Sequence, residues 1–390
     1  MIMEAMERRA HSKRRCRKII IALVPAFCIV YVFIYMQCPL FNIPTPKNPA
    51  ISTKKLFLAT PMFMSRWHMN FDECPVNDCV TTEDFYAADA VVFHNYEIQP
   101  WLWWYSTFYQ RPPNQKWIFF GQESEVRTAW DSASLNNIFN WTATYKRTSD
   151  IVVPYGGYTR LTQQEQMTLR KKTFDYARGK SKLAMILSSH CGALTSGRWE
   201  LVEELQKYIN IDVFGKCHNT PCPEPCNIEE MGKQYKFYLS FENSRCEDYI
   251  TEKFWGNALG SGEMVPIVLG GYNKTDYSDV SPPNSFIHAT DFKTPRELAN
   301  YMLLLDKEDA LYNEYHRWRR THKVFKQKIV NKDCSFCKNL HNATKFEKHS
   351  IHKDLHTFWN RQTNCKVINL PSDSFHNAVI SYTRYLFGII

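Results

Sequence analysis

The stretch FENSRCEDYITEK at 241–253 follows the apolar run KFYLSF and leads into YITEKFWGNAL, so its polar residues stand where a strand ends and a helix begins. Asn243, Tyr249, Glu252 and Lys253 then face an incoming ligand, beside helix N-terminal amides that favour anions. A carboxylate such as Glu252 can accept from both hydroxyls of a ribose, and an ammonium such as Lys253 can neutralise a phosphate. Arg198 occupies the corresponding place one unit earlier, after Ser196 and Gly197 and at the head of WELVEELQKYI. Two cations at neighbouring helix entrances suit a pyrophosphate. The plainer readings are a capped helix with a surface Glu and Lys, and a solvated helix position for Arg198. His94, closing DAVVFH at 89–94, is placed either to touch an acceptor or to be a hydrogen-bonded core histidine.

The elements that must position these residues are short apolar runs ending in polar ones, the pattern of buried parallel strands whose loops carry function. One cluster holds KLFLAT (55–60), DAVVFHN (89–95), KWIFFGQES (116–124) and DIVVPYGG (150–157). A polar, proline-free stretch at 161–180 reads as a connecting helix ending near Gly179. A second cluster alternates LAMILSSH (183–190), the amphipathic WELVEELQKYI, IDVFG (211–215), KFYLSF (236–241), a helix through YITEKFWGNAL and MVPIVLGG (264–271). Strand, helix, strand in succession implies parallel sheets with ligands at the carboxyl ends. The expectation is an α/β protein of two Rossmann-like domains facing one cleft, with the helical 294–320 crossing back to the first domain. Neither GxGxxG nor GxxxxGK[ST] occurs, which removes the dinucleotide fingerprint and the P-loop.

The ends of the chain bound its location. Residues 19–36 form an uninterrupted apolar run of 18, preceded by Arg14, Arg15, Arg17 and Lys18. That is about one hydrocarbon thickness of helix, and the flanking charge keeps the N-terminus in the cytosol. The expectation is a cytoplasmic tail (1–18), an uncleaved signal anchor (19–36), a proline-rich stem (37–54) and a luminal body in a Golgi membrane. The formal charge is +9, but residues 1–18 carry seven Lys/Arg against two Glu, leaving 41 minus 37, or +4, for the other 372 residues. A folded basic face for nucleic acid is therefore not indicated. Of 13 cysteines, Cys16 and Cys28 belong to the tail and span, leaving eleven on the oxidising side, and three sequons at Asn140, Asn273 and Asn342 are glycosylated only in a lumen. Cys334 and Cys337 read as structural disulfide cysteines. Cys217, Cys222, Cys226 and His218, spaced by Pro221, Pro223 and Pro225, read as a stapled loop rather than a zinc site, and Cys246 reads as a free thiol.

FENSRCEDYITEKFWGNALGSGEMVPIVLGG resembles the signature of the α1,3-fucosyltransferase family, in its FENS, DYITEK, NAL and VPIVLG elements. The likeness extends to SSHCGALTSGRWELVEEL with DVFGKC (188–217), to FNWTATYKRTSDIVVPYGGY (139–158) and to DAVVFH, and covers most of 56–340. It implies a type II Golgi enzyme with two Rossmann-like domains (GT-B type) that transfers fucose from GDP-fucose, with inversion, to GlcNAc-containing glycans. It also implies that Arg198, Asn243, Tyr249, Glu252 and Lys253 contact GDP-fucose. The family's base is a Glu in a first-domain loop, usually followed by Ser-Pro; here GQESEV offers Glu123 and Ser124, with Glu125 in place of the Pro and as the second candidate. Family members tie a C-terminal CxxC to the start of the first domain, which makes Cys74 and Cys79 the partners of Cys334 and Cys337.

The corresponding boundaries are an acceptor-side domain at 55–160, a donor domain at 161–320, and a segment at 321–390 that packs back on the first domain. No Asp-x-Asp occurs, so no cofactor or metal is required, although a divalent ion can enhance such an activity. The rival functions are a transferase for another GDP-sugar and an inactive glycan-binding protein.

Overall fold

The computed structural model describes residues 53–366 apart from 129–131, 171–173, 190–195, 217–220, 223–225, 327–328 and 348–349. The tail, the apolar run at 19–36, most of the stem, Cys217, His218 and the end of the chain from 367 lie outside the described residues. No helix among the described residues is long and apolar enough to cross a membrane.

A first sheet uses β1 (Lys54–Leu58), β2 (Cys79–Thr81), β3 (Ala90–His94), β4 (Lys116–Gly121), β5 (Trp141–Thr144) and β6 (Ile151–Val152). Its order is β2-β1-β3-β4-β5-β6, and every neighbouring pair is parallel. β3, β4 and β5 are buried at every position, because both faces are covered. On one face Phe93 and Phe119 meet Ile98, Leu102 and Tyr105 of the helix Ile98–Phe108; on the other, Ile118 and Phe120 meet Phe336 and Leu340 of the helix Ile329–Leu340.

The chain leaves that sheet through β7 (Gly156–Arg160) and builds a second one. This uses β8 (Lys182–Leu187), β9 (Ile211–Phe214) and β10 (Tyr235–Phe241), with β11 (Arg245–Cys246) in the loop after β10, then β12 (Val265–Leu269) and β13 (Ile287–His288). The order is β13-β12-β10-β8-β9, again parallel throughout. β14 (His322–Lys326) returns antiparallel to β7. Gly156 is required there, since a Cβ on it would stand 2.5 Å from Trp255 and 2.7 Å from the Phe325 carbonyl.

Several local expectations need correction. The connecting helix is short, Gln163–Arg170, and Gly179, at φ 82°, sits in a later turn rather than at the helix end. The stretch at 294–320 stays with the second sheet, because Leu298, Ala299, Met302 and Leu305 of the helix Pro295–Lys307 join that sheet's core together with Tyr312. β14 makes the return instead. The helix after the FENS stretch is a π-helix, Lys253–Ser261, that buries Phe254, Trp255, Ala258 and Leu259. β5 appears in no apolar-run reading, since WTAT is half polar; Asp150 accepts from the Thr142 amide (2.8 Å), and Thr144 pairs with the Ser149 hydroxyl (2.6 Å).

The cysteines close the fold. Cys74 is bonded to Cys334, Cys79 to Cys337 and Cys222 to Cys226. Cys246 is not a free thiol: it is bonded to Cys365, 119 residues away, where β11 pairs antiparallel with β15 (Cys365–Lys366).

Candidate active site

The site forms where the carboxyl ends of β4 and β10 touch. β4 ends at Gly121 and continues as Gln122-Glu123-Ser124-Glu125; β10 ends at Phe241 and continues as Glu242-Asn243-Ser244. The fully buried hydroxyl of Ser124 donates to that of Ser244 at 2.8 Å, joining the two loops. Tyr249, buried, donates its hydroxyl towards Glu123 Oε2 at 3.4 Å. Burial first, then neighbouring Tyr155 and the carboxylates Glu123 and Glu242, push the Tyr249 phenol well above its ordinary range, so it remains a donor. Tyr155 packs edge-on against it at 6.1 Å and anchors its own hydroxyl on the Gln122 carbonyl at 2.5 Å.

The structure separates the two candidate bases. Glu123 is half-buried at the rim, with Tyr249 as its partner. Glu125 has no side-chain exposure; it accepts from the Tyr145 hydroxyl at 2.5 Å and pairs with Lys146 at 3.4 Å. Burial raises its pKa, an effect that Lys146 and Tyr145 oppose. A carboxylate so enclosed has no path to an acceptor hydroxyl.

On the donor side, Glu242, given no role by the sequence reading, is the hub. It is fully buried, takes hydrogen bonds from the Thr251 amide (2.8 Å) and hydroxyl (2.8 and 3.0 Å), and pairs with Lys253 at 3.2 Å. Lys253 also reaches Glu252 at 2.9 Å, and the Glu252 side chain is 57% exposed, open to a ligand. Burial lowers the Lys253 pKa, but Glu242 and Glu252 outweigh it and the net shift is upward. Lys253 is therefore held cationic by two carboxylates. The signal for Glu242 was present in FENS, whose Glu is the residue nearest the strand end.

Arg198 opens the helix Arg198–Gln206 behind Gly197, whose left-handed φ of 70° turns the chain into the helix. It is 2% exposed, and its guanidinium acts electrostatically on Glu242, Tyr238 and Tyr249. Asn243 is nine-tenths buried, and its Oδ1 has no hydrogen-bond partner among the described residues. Thus Lys253 and, through it, Glu252 gather at Glu242, Glu123 meets Tyr249, Arg198 acts on both Glu242 and Tyr249, and Asn243 follows Glu242 in the chain. His94 is a core histidine: its amide donates to Thr60 Oγ1 at 2.7 Å, Nδ1 meets Glu97 at 2.6 Å, and burial lowers its pKa against the opposing Glu97.

Among the described residues two groups of metal-ligating type come together, Cys79–Cys337–His341 and Glu125–Cys246–Cys365. In each, both sulfurs are spent in a disulfide and offer no thiolate.

Of the three sequons, Asn273 and Asn342 are exposed, but Asn140 is 6% exposed and fully used. Its Oδ1 accepts from the Trp117 amide at 2.8 Å and from Arg111, and its Nδ2 donates to the Ser350 carbonyl at 2.9 Å. Asn140 is therefore structural in the folded protein, since a glycan there would displace the contacts that fix β5.

Residues 52–156 match the family model described as Fucosyltransferase, N-terminal, and 177–358 match Glycosyltransferase family 10 (fucosyltransferase) C-term. The chain is 34% identical over 285 residues to human 4-galactosyl-N-acetylglucosaminide 3-alpha-L-fucosyltransferase FUT6, covering 70% of this chain and 74% of that protein. This chain belongs to glycosyltransferase family 10. Within the family it is similar to Glycoprotein 3-alpha-L-fucosyltransferase A of Drosophila melanogaster, 36% identical over 298 residues and 74% of this chain. It is also similar to a bovine 3-galactosyl-N-acetylglucosaminide 4-alpha-L-fucosyltransferase, FUT3, 38% identical over 63% of this chain. The matched region spans only 55% of the insect protein and 65% of the bovine one. A crystal structure of an alpha1,3-fucosyltransferase, 17% identical, superposes with a TM-score of 0.50 over 80% of this chain and 95% of that one, a likeness of fold.

Proposed function

We propose that this family 10 protein is an inverting α1,3-fucosyltransferase, moving fucose from GDP-fucose to the 3-hydroxyl of a GlcNAc in N-glycans or related glycoconjugates. The observation that carries the reading is the junction of the two loops, Ser124 to Ser244 and Tyr249 to Glu123, which sets one half-buried carboxylate against the family's donor motif. In the GT-B layout the first sheet (55–160) serves the acceptor and the second (161–320) the donor.

Glu123 takes the proton of the acceptor hydroxyl as that oxygen attacks the anomeric carbon from the face opposite the diphosphate, which inverts the configuration. Arg198 and Lys253 stabilise the charge that develops on departing GDP, Glu252 holds the ribose hydroxyls, and the unpartnered Asn243 Oδ1 accepts from the donor. No step needs a metal, consistent with the lack of an Asp-x-Asp in the sequence.

The proposed location is a Golgi membrane, type II and single-pass, with the body luminal. The charged flank of 19–36 supports it, as do four disulfides among the described residues, which require an oxidising compartment.

The test uses the full chain in detergent with labelled GDP-fucose, GDP-mannose as the rival donor, and an N-glycan panel with and without EDTA. The expected result is fucose on the 3-position of a GlcNAc, in transfer that survives EDTA. Transfer from GDP-mannose alone, or GDP binding with no transfer to any acceptor, would overturn it.

A further inference from the structure

The donor motif contains a cysteine for which the chemistry above has no use. Cys246 lies between Ser244 and Tyr249, and its carbonyl accepts from the Tyr249 amide at 3.2 Å, so its position sets that of Tyr249. The turn it carries is strained: Asp248 has φ 60°, and Arg147 holds it there through its amide (2.8 Å) and Nε (2.7 Å). Against the base loop this turn has the Ser124–Ser244 hydrogen bond, the long Tyr249–Glu123 contact and the approach of the Cys246 sulfur to the Glu125 carboxylate.

The partner, Cys365, ends a segment that is anchored at its other end under Glu123. Trp359 is 1% exposed in the first-sheet core; it meets Phe119 and Tyr145 edge to face or tilted and donates Nε1 to Thr128 Oγ1 at 2.9 Å. Its ring lies over Gly121, two residues before the base, so closely that a Cβ there would stand 3.2 Å from it. Between the anchors, Lys146 ties the Phe358 carbonyl (3.0 Å) to Glu125 (3.4 Å) and Glu247 (3.0 Å). At the far end the Glu247 amide donates to the Asn364 carbonyl at 2.9 Å beside the β11–β15 pairing.

We propose that residues 355–366 form a positioning strap, anchored by Trp359 on the base loop and fastened by the Cys246–Cys365 disulfide to the donor motif, that keeps Tyr249 and Glu123 in register. The proposal rests on the transferase reading above. Ser244, Cys246 and Tyr249 are buried, so the bond holds a packed turn in register, and its loss lets that turn shift and open locally. The donor cations Arg198 and Lys253 stand on the second sheet and remain in place. A displacement of about 1 Å between base and reacting carbon costs about 100-fold in rate where alignment is complete, and a loosened loop loses part of that.

The experiment compares the full-length wild type with C246S/C365S, which leaves neither thiol free, and with Trp359→Leu at the other anchor. Steady-state transfer, GDP affinity by calorimetry, thermal unfolding, and hydrogen exchange across 244–250 are measured. The expected result for C246S/C365S is kcat lowered about 10-fold well below its unfolding temperature. GDP affinity should stay within about 3-fold, and exchange should quicken at 244–250. Trp359→Leu should show the same split between kcat and GDP affinity. A lowered unfolding temperature with kcat unchanged would make the bond merely structural and overturn the proposal. If the wild type transfers no fucose, the function reading fails and exchange alone decides the strap; unchanged protection at 244–250 would then overturn it.

Discussion

The loops after β4 and β10 solve the same problem with the same parts. Each has a fully buried glutamate, Glu125 or Glu242, that takes a hydroxyl donor and a lysine: Tyr145 and Lys146 in one case, Thr251 and Lys253 in the other. Each also presents a more open glutamate, Glu123 or Glu252. The buried member fixes the loop, and in the proposed reaction the open one meets the ligand. They differ in where the lysine points its remaining capacity. Lys146 turns to the Phe358 carbonyl and to Glu247, inside the fold, whereas Lys253 bridges Glu242 to the half-exposed Glu252. The first loop therefore holds its cation as scaffold, and the second holds it as part of the site.

Substitutions that treat the loops alike should separate them. Removing the buried partner of an ion pair costs about 3–5 kcal/mol. Glu242→Gln should approach that loss in urea unfolding and weaken GDP binding as well. Burial raises the pKa of both carboxyls, so the difference comes from their partners. Glu125 accepts from one hydroxyl and pairs with Lys146 at 3.4 Å, whereas Glu242 accepts from both the Thr251 amide and hydroxyl and pairs with Lys253 at 3.2 Å. Glu125→Gln should therefore lose less stability, and it should keep GDP affinity. Equal losses of GDP affinity would erase the distinction.

Arg198→Ala should lower kcat/KM by about 100- to 1,000-fold, the range for removing one donor that stabilises developing charge. Lys253→Ala should lower it less, because Lys253 shares its charge with two carboxylates. Steady-state kinetics on both variants gives the order.

The two sheets should also answer pH with opposite signs. His288, closing β13, is buried and its pKa falls to about 4 from 6.5, chiefly through desolvation. The unfolded chain binds its proton first, so this contribution is whole above pH 6.5 and is lost as pH falls towards 4. Asp333, behind the first sheet, is pushed by burial up to about 6 from 3.8. The folded protein binds that proton more tightly, so stability declines as pH rises from 3.8 to 6 and is flat above. Each slope is at most about 1.4 kcal/mol per pH unit. His288→Gln should flatten the acid-side loss and Asp333→Asn should remove the decline; unfolding at pH 4, 5, 6 and 7 reads both.

The smallest effect concerns glycosylation. Glycopeptide mapping should find Asn273 and Asn342 occupied and Asn140 bare.

What the sequence makes legible is unevenly divided between these regions. The strands flanking the donor motif are largely apolar, and FENS and DYITEK mark their loop by residue type, so Asn243, Tyr249, Glu252 and Lys253 could be named before any coordinates, as could Arg198 at the preceding helix entrance. The base loop is marked more weakly, by Glu123 followed by Ser124, with Glu125 standing where the usual Pro would be. Glu123 and Glu125 are alike by type and two apart, and the Tyr145–Lys146 enclosure, built from β5 onward, separates them structurally. β5 itself hides because its threonines are satisfied by a downstream turn. Cys365 hides because its bond to Cys246 closes across 119 residues, a distance no local spacing encodes. Asn140 satisfies a sequon yet spends its amide inside the sheet.

The most direct test of the account compares Glu123→Gln with Glu125→Gln in the full-length chain, measuring kcat for fucose transfer alongside GDP affinity. General-base removal costs about 100- to 10,000-fold. The account predicts a loss of that size for Glu123→Gln with GDP affinity unchanged, and a kcat within about 5-fold of wild type for Glu125→Gln at temperatures where it is folded. A Glu123→Gln protein that transfers fucose normally, or a collapse confined to Glu125→Gln, would contradict it.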